Sequence, residues 1–477
     1  NDPTTFKNRS TPAPSTRSMA CKAQTSGRIY LHSGPRTELH EIIRQEYARH
    51  QDRAVPRNTL RQAVQGMLDT FAYQNFDAAA GEYTNRCCRP PRETEMRPWR
   101  LVTEIGWTGG GVLAYPLVLC RDALGADAEA PLAAAMSGEQ LFDRIADAYN
   151  ENSGLLNDLM APNAAGSQVN GWWTGYGLVK DCHCAYTVGS AVHYLTKTMD
   201  YLHQNGKPCP AKWMDAAQKV LHTVMDLQRA DGAFGYTYST QERKVLDWSG
   251  FAGCWFAPAL VYLYRLTGEE RCLHSAEKAL DYYHTFVKDL NCYGTPMDTW
   301  KAVDEEGNLA FMRGSRLLYE QTGKAEFLQY MKDSAGYEFL WRYGYKTYPE
   351  HTPLNQGWSA CGGAVTSVSN PHIHPMGVII DTDLRYLARV TGDGYYASRA
   401  ADSAAWMLQC LELYPAATGY GRYGILSERW CPSDGLDVER FSDGRPFSSW
   451  FSHNLWASAC VLEAACELLL EIEHKKG

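Results

Sequence analysis

The stretch Phe251-Ala252-Gly253-Cys254-Trp255-Phe256-Ala257-Pro258-Ala259-Leu260-Val261-Tyr262 carries no charge, and it stops at Arg265-Leu266-Thr267-Gly268. A helix that is apolar on all sides is buried on all sides. Directly after Gly268, the segment Glu269 to Lys288 mixes charged and apolar residues, as a half-exposed helix does. The same punctuation returns at Glu320-Gln321-Thr322-Gly323 and at Arg389-Val390-Thr391-Gly392. Glycine suits the position just past a helix, where φ is positive. The marks stand roughly 55 to 70 residues apart, the scale of a helical-hairpin array.

Extended in both directions, the pattern predicts twelve helices in six pairs. These are 57–74 with 103–123, 138–150 with 183–204, 211–228 with 250–266, 269–288 with 307–321, 325–342 with 376–391, and 395–413 with 447–471. First members carry a charged face. Second members are apolar nearly all round, as in Trp456-Ala457-Ser458-Ala459-Cys460-Val461-Leu462. Six half-exposed helices around six buried ones make an all-α (α/α)6 toroid. Connections between pairs are short, whereas those within a pair run to about 18–35 residues, a length usually reserved for function. In a toroid these long loops all emerge on one face, at the N-termini of the inner helices. The expected organisation is an extended tail over 1–37, rich in Thr, Ser, Pro and Arg, followed by the toroid over 38–477.

Composition narrows the function. The chain has 477 residues and a net charge of -8, which argues against a nucleic-acid binder. No apolar run approaches the roughly 18 residues of a membrane span. The chain starts at Asn1, as expected of a processed or trimmed polypeptide. Fifteen Cys cannot all pair within one chain, and several lie in apolar helical stretches, so a mostly reduced, cytoplasmic protein is expected. Tyr and Trp, at 29 and 14, outweigh the 14 Phe. Such rings join an apolar face to a polar edge, which suits stacking on sugars.

The long loops concentrate those rings: Trp172, Trp173, Trp248, Trp300, Trp358, Trp430 and Tyr236 are expected to line the substrate funnel. Together with Gln228-Arg229-Ala230-Asp231-Gly232-Ala233-Phe234-Gly235-Tyr236 and the repeated Thr-Gly ends, the layout resembles the six-hairpin glycosidase superfamily, with the unsaturated glucuronyl hydrolases as its most similar branch. The resemblance spans about residues 40 to 475 and implies hydrolysis of glycosides, including uronic-acid-containing oligosaccharides, by paired carboxylates in the funnel.

Glycoside hydrolysis needs one carboxyl group as acid and another as base or nucleophile. Asp181, in Lys180-Asp181-Cys182-His183-Cys184, and Asp247, in Leu246-Asp247-Trp248-Ser249, each precede an inner helix and are the first candidates. Glu104 and Asp298 follow, then Glu428. Each Asp is equally suited to helix capping. His183, and His372 and His374 within Asn370-Pro371-His372-Ile373-His374-Pro375, are candidates for holding sugar hydroxyls, and Arg422 and Arg429 for gripping a uronate. A lyase or epimerase using a Tyr or His base on the same toroid is the alternative. Cys182-His183-Cys184 and His372-x-His374 miss the usual zinc spacings, so neither a metal nor a cofactor is expected. Asp381 and Asp383 fall inside a buried helix and require partners, from Arg385 or a neighbouring helix.

Overall fold

Fourteen helices are present in the described part of the chain: α1 Leu39–Arg49, α2 Leu60–Thr70, α3 Gly111–Leu124, α4 Glu129–Leu132, α5 Gly138–Asp147, α6 Ala185–Gln204, α7 Ala211–Asp226, α8 Phe256–Thr267, α9 Glu270–Lys288, α10 Glu306–Thr322, α11 Ala325–Trp341, α12 Asp381–Thr391, α13 Gly394–Cys410 and α14 Leu455–His474. The computed structural model describes residues 39–50, 53–88, 97–101, 104–106, 110–133, 135–158, 171–173, 178–295, 301–347, 359–368, 370–412, 424–430, 432 and 449–474. The expected tail over 1–37 lies outside them.

The inner helices α3, α6, α8, α10, α12 and α14 contact one another in that order, and α14 returns to α3, so the ring closes. The outer helices α2, α5, α7, α9, α11 and α13 pack around it, most of them spanning two inner neighbours. This is the (α/α)6 toroid expected from the alternation of half-charged and fully apolar helices. The short helices α1 and α4 stand outside the six pairs.

The Thr-Gly punctuation has a repeated physical basis. Gly268, Gly323 and Gly392 take φ of 73°, 64° and 70°. The preceding threonines each donate to a carbonyl four residues back, Leu263 at 2.8 Å, Leu318 at 2.7 Å and Leu387 at 2.6 Å. Each also accepts from the amide two residues on. One hydroxyl thus ties the end of an inner helix to the start of the next outer one. At the other end, Thr59 with Gln62 and Ser137 with Gln140 form capping boxes that start α2 and α5.

Charged side chains of the inner helices reach into the toroid axis, where several of them line a cavity of about 360 Å³. Arg313 of α10 meets Asp383 of α12 at 2.8 Å, and Arg316 meets it at 3.2 Å. Lys197 of α6 is buried between Glu463 and Glu467 of α14. Asp381 is bonded by Arg342 of α11 at 2.8 Å. The buried aspartates therefore draw their partners from neighbouring helices, while Arg385 pairs with Glu471 instead.

The long loops are more ordered than a structureless-loop reading predicts. Strands 76–77, 82–88 and 97–101, from the first hairpin, join 449–453 and 429–430 of the sixth and 370–374 and 364–367 of the fifth in one antiparallel sheet of seven strands. A second sheet of three strands, 182–184, 237–239 and 245–247, links the second and third loops. Both sheets lie at the N-terminal ends of the inner helices, so they shape the face where the candidate residues collect.

Candidate functional site

Asp247 ends the strand Val245–Asp247. Its Oδ1 accepts from the Ser249 amide at 2.8 Å and the Ser249 hydroxyl at 2.7 Å, and its Oδ2 from Lys301 Nζ at 2.5 Å. The same Nζ stands 4.7 Å from the centre of the Tyr236 ring. Partial burial opposes ionisation of Asp247, but Lys301 and the Ser249 donors outweigh it and hold the carboxyl below its usual range. Lys301 adopts φ of 52°, a left-handed conformation that is costly for a side chain of this size. The Asp247 and Ser249 contacts oppose that cost. The cluster presents an ionised carboxylate, about one-third exposed, beside a fixed cation.

Asp181 is placed differently. It is exposed, at φ of 59°, in the turn leading into the strand Cys182–Cys184. That strand separates it from α6, whose first cap residue is Cys184, so Asp181 does not start the inner helix. Its carbonyl accepts from the Thr240 amide, whereas Asp247 lies opposite Thr237 on the other side of the same central strand. The two aspartates thus stand roughly 10 Å apart along the strands and roughly 10 Å across them. The structure does not bring them together as a pair.

Glu104 is buried just before α3, where Glu104-Ile105-Gly106 packs on Thr187 in the first turn of α6. His183 is buried too. Its Nε2 is 2.9 Å from the Ser153 hydroxyl, its Nδ1 has no partner, and burial lowers its pKa to about 4, so the ring is neutral. His374 Nδ1 is 2.8 Å from the His372 carbonyl. The ring stacks on Trp456 at 6.0 Å and stands perpendicular to His372 at 6.5 Å. Burial raises the Cys182 thiol to about 11, away from the thiolate a metal would need, and no group suited to a metal ion occurs among the described residues.

Among the described residues, the expected aromatic platform is largely core. Trp172 lies inside, edge-on to Tyr236 at 6.4 Å, and Trp430 lies inside, edge-on to Trp406 at 5.4 Å. Tyr236 itself is buried, with its ring under Lys301. Burial on this scale removes the open ring faces that stacking on a sugar requires. Trp248 is half-buried, with the Arg229 guanidinium 5.1 Å from its ring centre. Asp298, Trp300, Trp358 and Arg422 lie outside the described residues. So do the side chains of Trp173 and Arg429, whose backbones run in strands.

Sequence reasoning missed Asp304-Glu305-Glu306. All three are buried at the start of α10. Asp304 accepts from the Thr295 amide at 3.2 Å and the Gly307 amide at 3.1 Å, yet burial dominates and raises its pKa to about 8. The Glu306 carboxylate faces the Tyr186 hydroxyl from the first turn of α6. That hydroxyl donates to Met376 Sδ at 3.9 Å, and the Tyr186 ring packs on Trp255 at 5.6 Å. Four inner-helix starts thus meet around Tyr186. Burial raises the pKa of Tyr236 most, and Asp247 and Asp304 both raise it further by charge repulsion, so both clusters lie within electrostatic range of that ring. The signal in the sequence was an acid run abutting an apolar helix, easily read as ordinary first-turn acids.

No protein-family model matches the chain, and no curated protein sequence matches it. Solved structures do. A glycoside hydrolase family 76 mannosidase from Bacteroides thetaiotaomicron aligns over 87% of this chain and 99% of its own, with 14% identity and a TM-score of 0.53. A cellobiose 2-epimerase from Spirochaeta thermophila aligns over 93% and 99%, with 14% identity and a TM-score of 0.54. An unsaturated glucuronyl hydrolase mutant from Streptococcus agalactiae aligns over 89% and 95%, with 12% identity and a TM-score of 0.50. These likenesses show the fold, an (α/α)6 toroid.

In this toroid the loop face holds an ionised carboxylate with its own cation, a buried acid run, and the neutral imidazole of His183. Proton donors and acceptors of differing strength therefore share one face, as general acid–base chemistry requires. Among the described residues, no helix is long and apolar enough to cross a membrane.

Proposed function

We propose that the protein is a glycoside hydrolase that cleaves an oligosaccharide, one containing uronic acid, at the loop face of the toroid. One observation carries the reading: carboxyl groups held toward opposite protonation states lie on that face. Lys301 favours the ionised form of Asp247, while burial favours the protonated forms of Asp304 and Glu305 at the start of α10. Asp247 serves as base or nucleophile and Glu306, opposite the Tyr186 hydroxyl, as acid. The sugar-processing enzymes that share the fold, a mannosidase and a cellobiose 2-epimerase among them, support a carbohydrate substrate. Lys301 supplies a cation where a uronate carboxylate would approach.

The test is release of reducing sugar from neutral and uronide oligosaccharides by wild type, Asp247→Asn and Glu306→Gln. A loss of about 10²- to 10⁴-fold in each variant, with an unchanged circular dichroism spectrum, is expected. Full activity in both variants would overturn the assignment. The perpendicular His372–His374 pair beside Trp456 favours a second reading, epimerisation or isomerisation by an imidazole base. Conversion of a disaccharide without any bond cleavage would identify it.

A further inference from the structure

Glu305 is fully buried, and neither of its carboxylate oxygens receives a hydrogen bond from any donor among the described residues. A buried polar group in that state requires a partner. Its neighbour is another acid. Around the point where a Cβ on Gly377 would stand, Glu305 Oε1 lies at 2.3 Å and Glu338 Oε1 at 3.0 Å. Glu338 is itself fixed: Arg342 donates to its Oε1 from Nε at 3.1 Å and from NH2 at 2.8 Å. The same guanidinium bonds Asp381 and the Gly377 carbonyl, each at 2.8 Å. Three carboxyl groups therefore surround one cation. Arg342 hydrogen-bonds Glu338 and Asp381 and acts on Glu305 only through its charge, which burial and the facing Glu338 outweigh. Two ionised carboxylates have no donor between them, so only a proton can join Glu305 to Glu338.

We propose that Glu305 and Glu338 share one proton in the folded protein, and that this buried acid pair is a positioning unit for Glu306 that sets the upper pH limit of the site. The link to Glu306 rests on the function proposed above; the shared proton does not. The charged and titratable groups around the pair are Asp304 and Glu306 on its own segment, Arg342 from α11, Asp381 and Arg385 from α12, and Cys460 from α14. Burial and the facing Glu338 both favour the protonated form of Glu305. Removing the proton at alkaline pH sets two buried anions against each other beneath the Gly377 turn, beside the residue that faces Tyr186.

Difference infrared spectroscopy of wild type against Glu305→Gln at neutral pH reads the proton directly. The expected result is a protonated-carboxyl carbonyl band in the wild type that is lost in the variant, which keeps a donor of the same shape. Wild-type stability should fall through the alkaline range, and Glu305→Gln should flatten that fall. Isotopic labelling of glutamate in the unsubstituted protein must shift the band, which separates Glu305 from Asp304 even if the variant fails to fold. No band, a band that does not shift, or the same alkaline fall in both proteins overturns the shared proton. If the wild type hydrolyses a glycoside, its alkaline limb should move upward in Glu305→Gln. An unmoved limb beside a confirmed band overturns the positioning role alone. Absence of hydrolysis in the wild type overturns the proposed function and removes the link to Glu306 with it, while the infrared result still decides the proton.

Discussion

Replacing Lys197 by Met should remove the one ammonium that lies between two buried glutamates in the toroid axis. Lys197 is 5% exposed and Glu463 1%, and Lys197 lies 2.8 Å from Glu467 and 4.2 Å from the Tyr115 ring centre. Methionine fills similar volume, so the loss is electrostatic. Removing one partner of a buried pair costs about 3–5 kcal/mol, because the surviving charge stays in a medium that solvates it poorly. A folded domain has about 5–15 kcal/mol in total, so the variant remains foldable with a lowered midpoint. The loss must depend on pH. In the wild type, Lys197 and Arg313 overcome burial and hold Glu467 at about 2. Its contribution is therefore present above the ordinary glutamate pKa and lost as pH falls toward about 2. Without Lys197, burial and the facing Glu463 raise both glutamates, and protonation relieves them. The deficit should be largest near neutral pH and shrink as the pH falls toward about 5. Urea unfolding of both proteins at about pH 7.5 and about pH 5 measures this. A neutral-pH loss below about 1 kcal/mol, or a loss equal at the two pH values, would refute the axial-charge argument.

Two further outcomes follow from the site and the turns. Lys301→Met removes the cation at 2.5 Å from Asp247, so the acidic limb of the activity should move upward by about one pH unit, at the low end of the shift produced by an opposite charge because the pair is part-exposed; a pH profile of kcat/KM checks it, and an unmoved limb counts against Asp247 as the base. Gly323→Ala and Gly392→Ala meet no atom within 4 Å, so each should cost only about 1 kcal/mol from positive φ, whereas Gly377→Ala must displace Glu305 Oε1 from 2.3 Å and should cost more in the same thermal unfolding series.

The hairpins were legible because their determinants are local. Apolar character on every side of 251–262, a charged face on 269–288, and Thr-Gly at three helix ends each act within a few residues. The partners of Asp381 and Asp383 were legible only as a demand, since a buried carboxylate requires a cation but does not name it. The structure supplied Arg342, Arg313 and Arg316. The loop strands were not legible, because residues such as Arg429 and Trp450 pair only after the fifth and sixth hairpins have closed beside the first.

The loop aromatics show the same division. Counting Trp and Tyr located rings in the loops, but composition is blind to which way a ring points. Trp172 and Trp430 turned inward onto Tyr236 and Trp406, where burying large apolar area outweighs keeping a face open. The sequence by itself determined six hairpins, their order, and the face on which their long loops gather, since helix period and helix ends are encoded within single turns. Only the tertiary structure decided which acids meet. Asp181 and Asp247 lie at opposite corners of one sheet, while Glu305 and Glu338, on different helices, reach the same glycine. Charge interactions depend on separation in space, and ring closure fixes that separation between residues far apart in the chain.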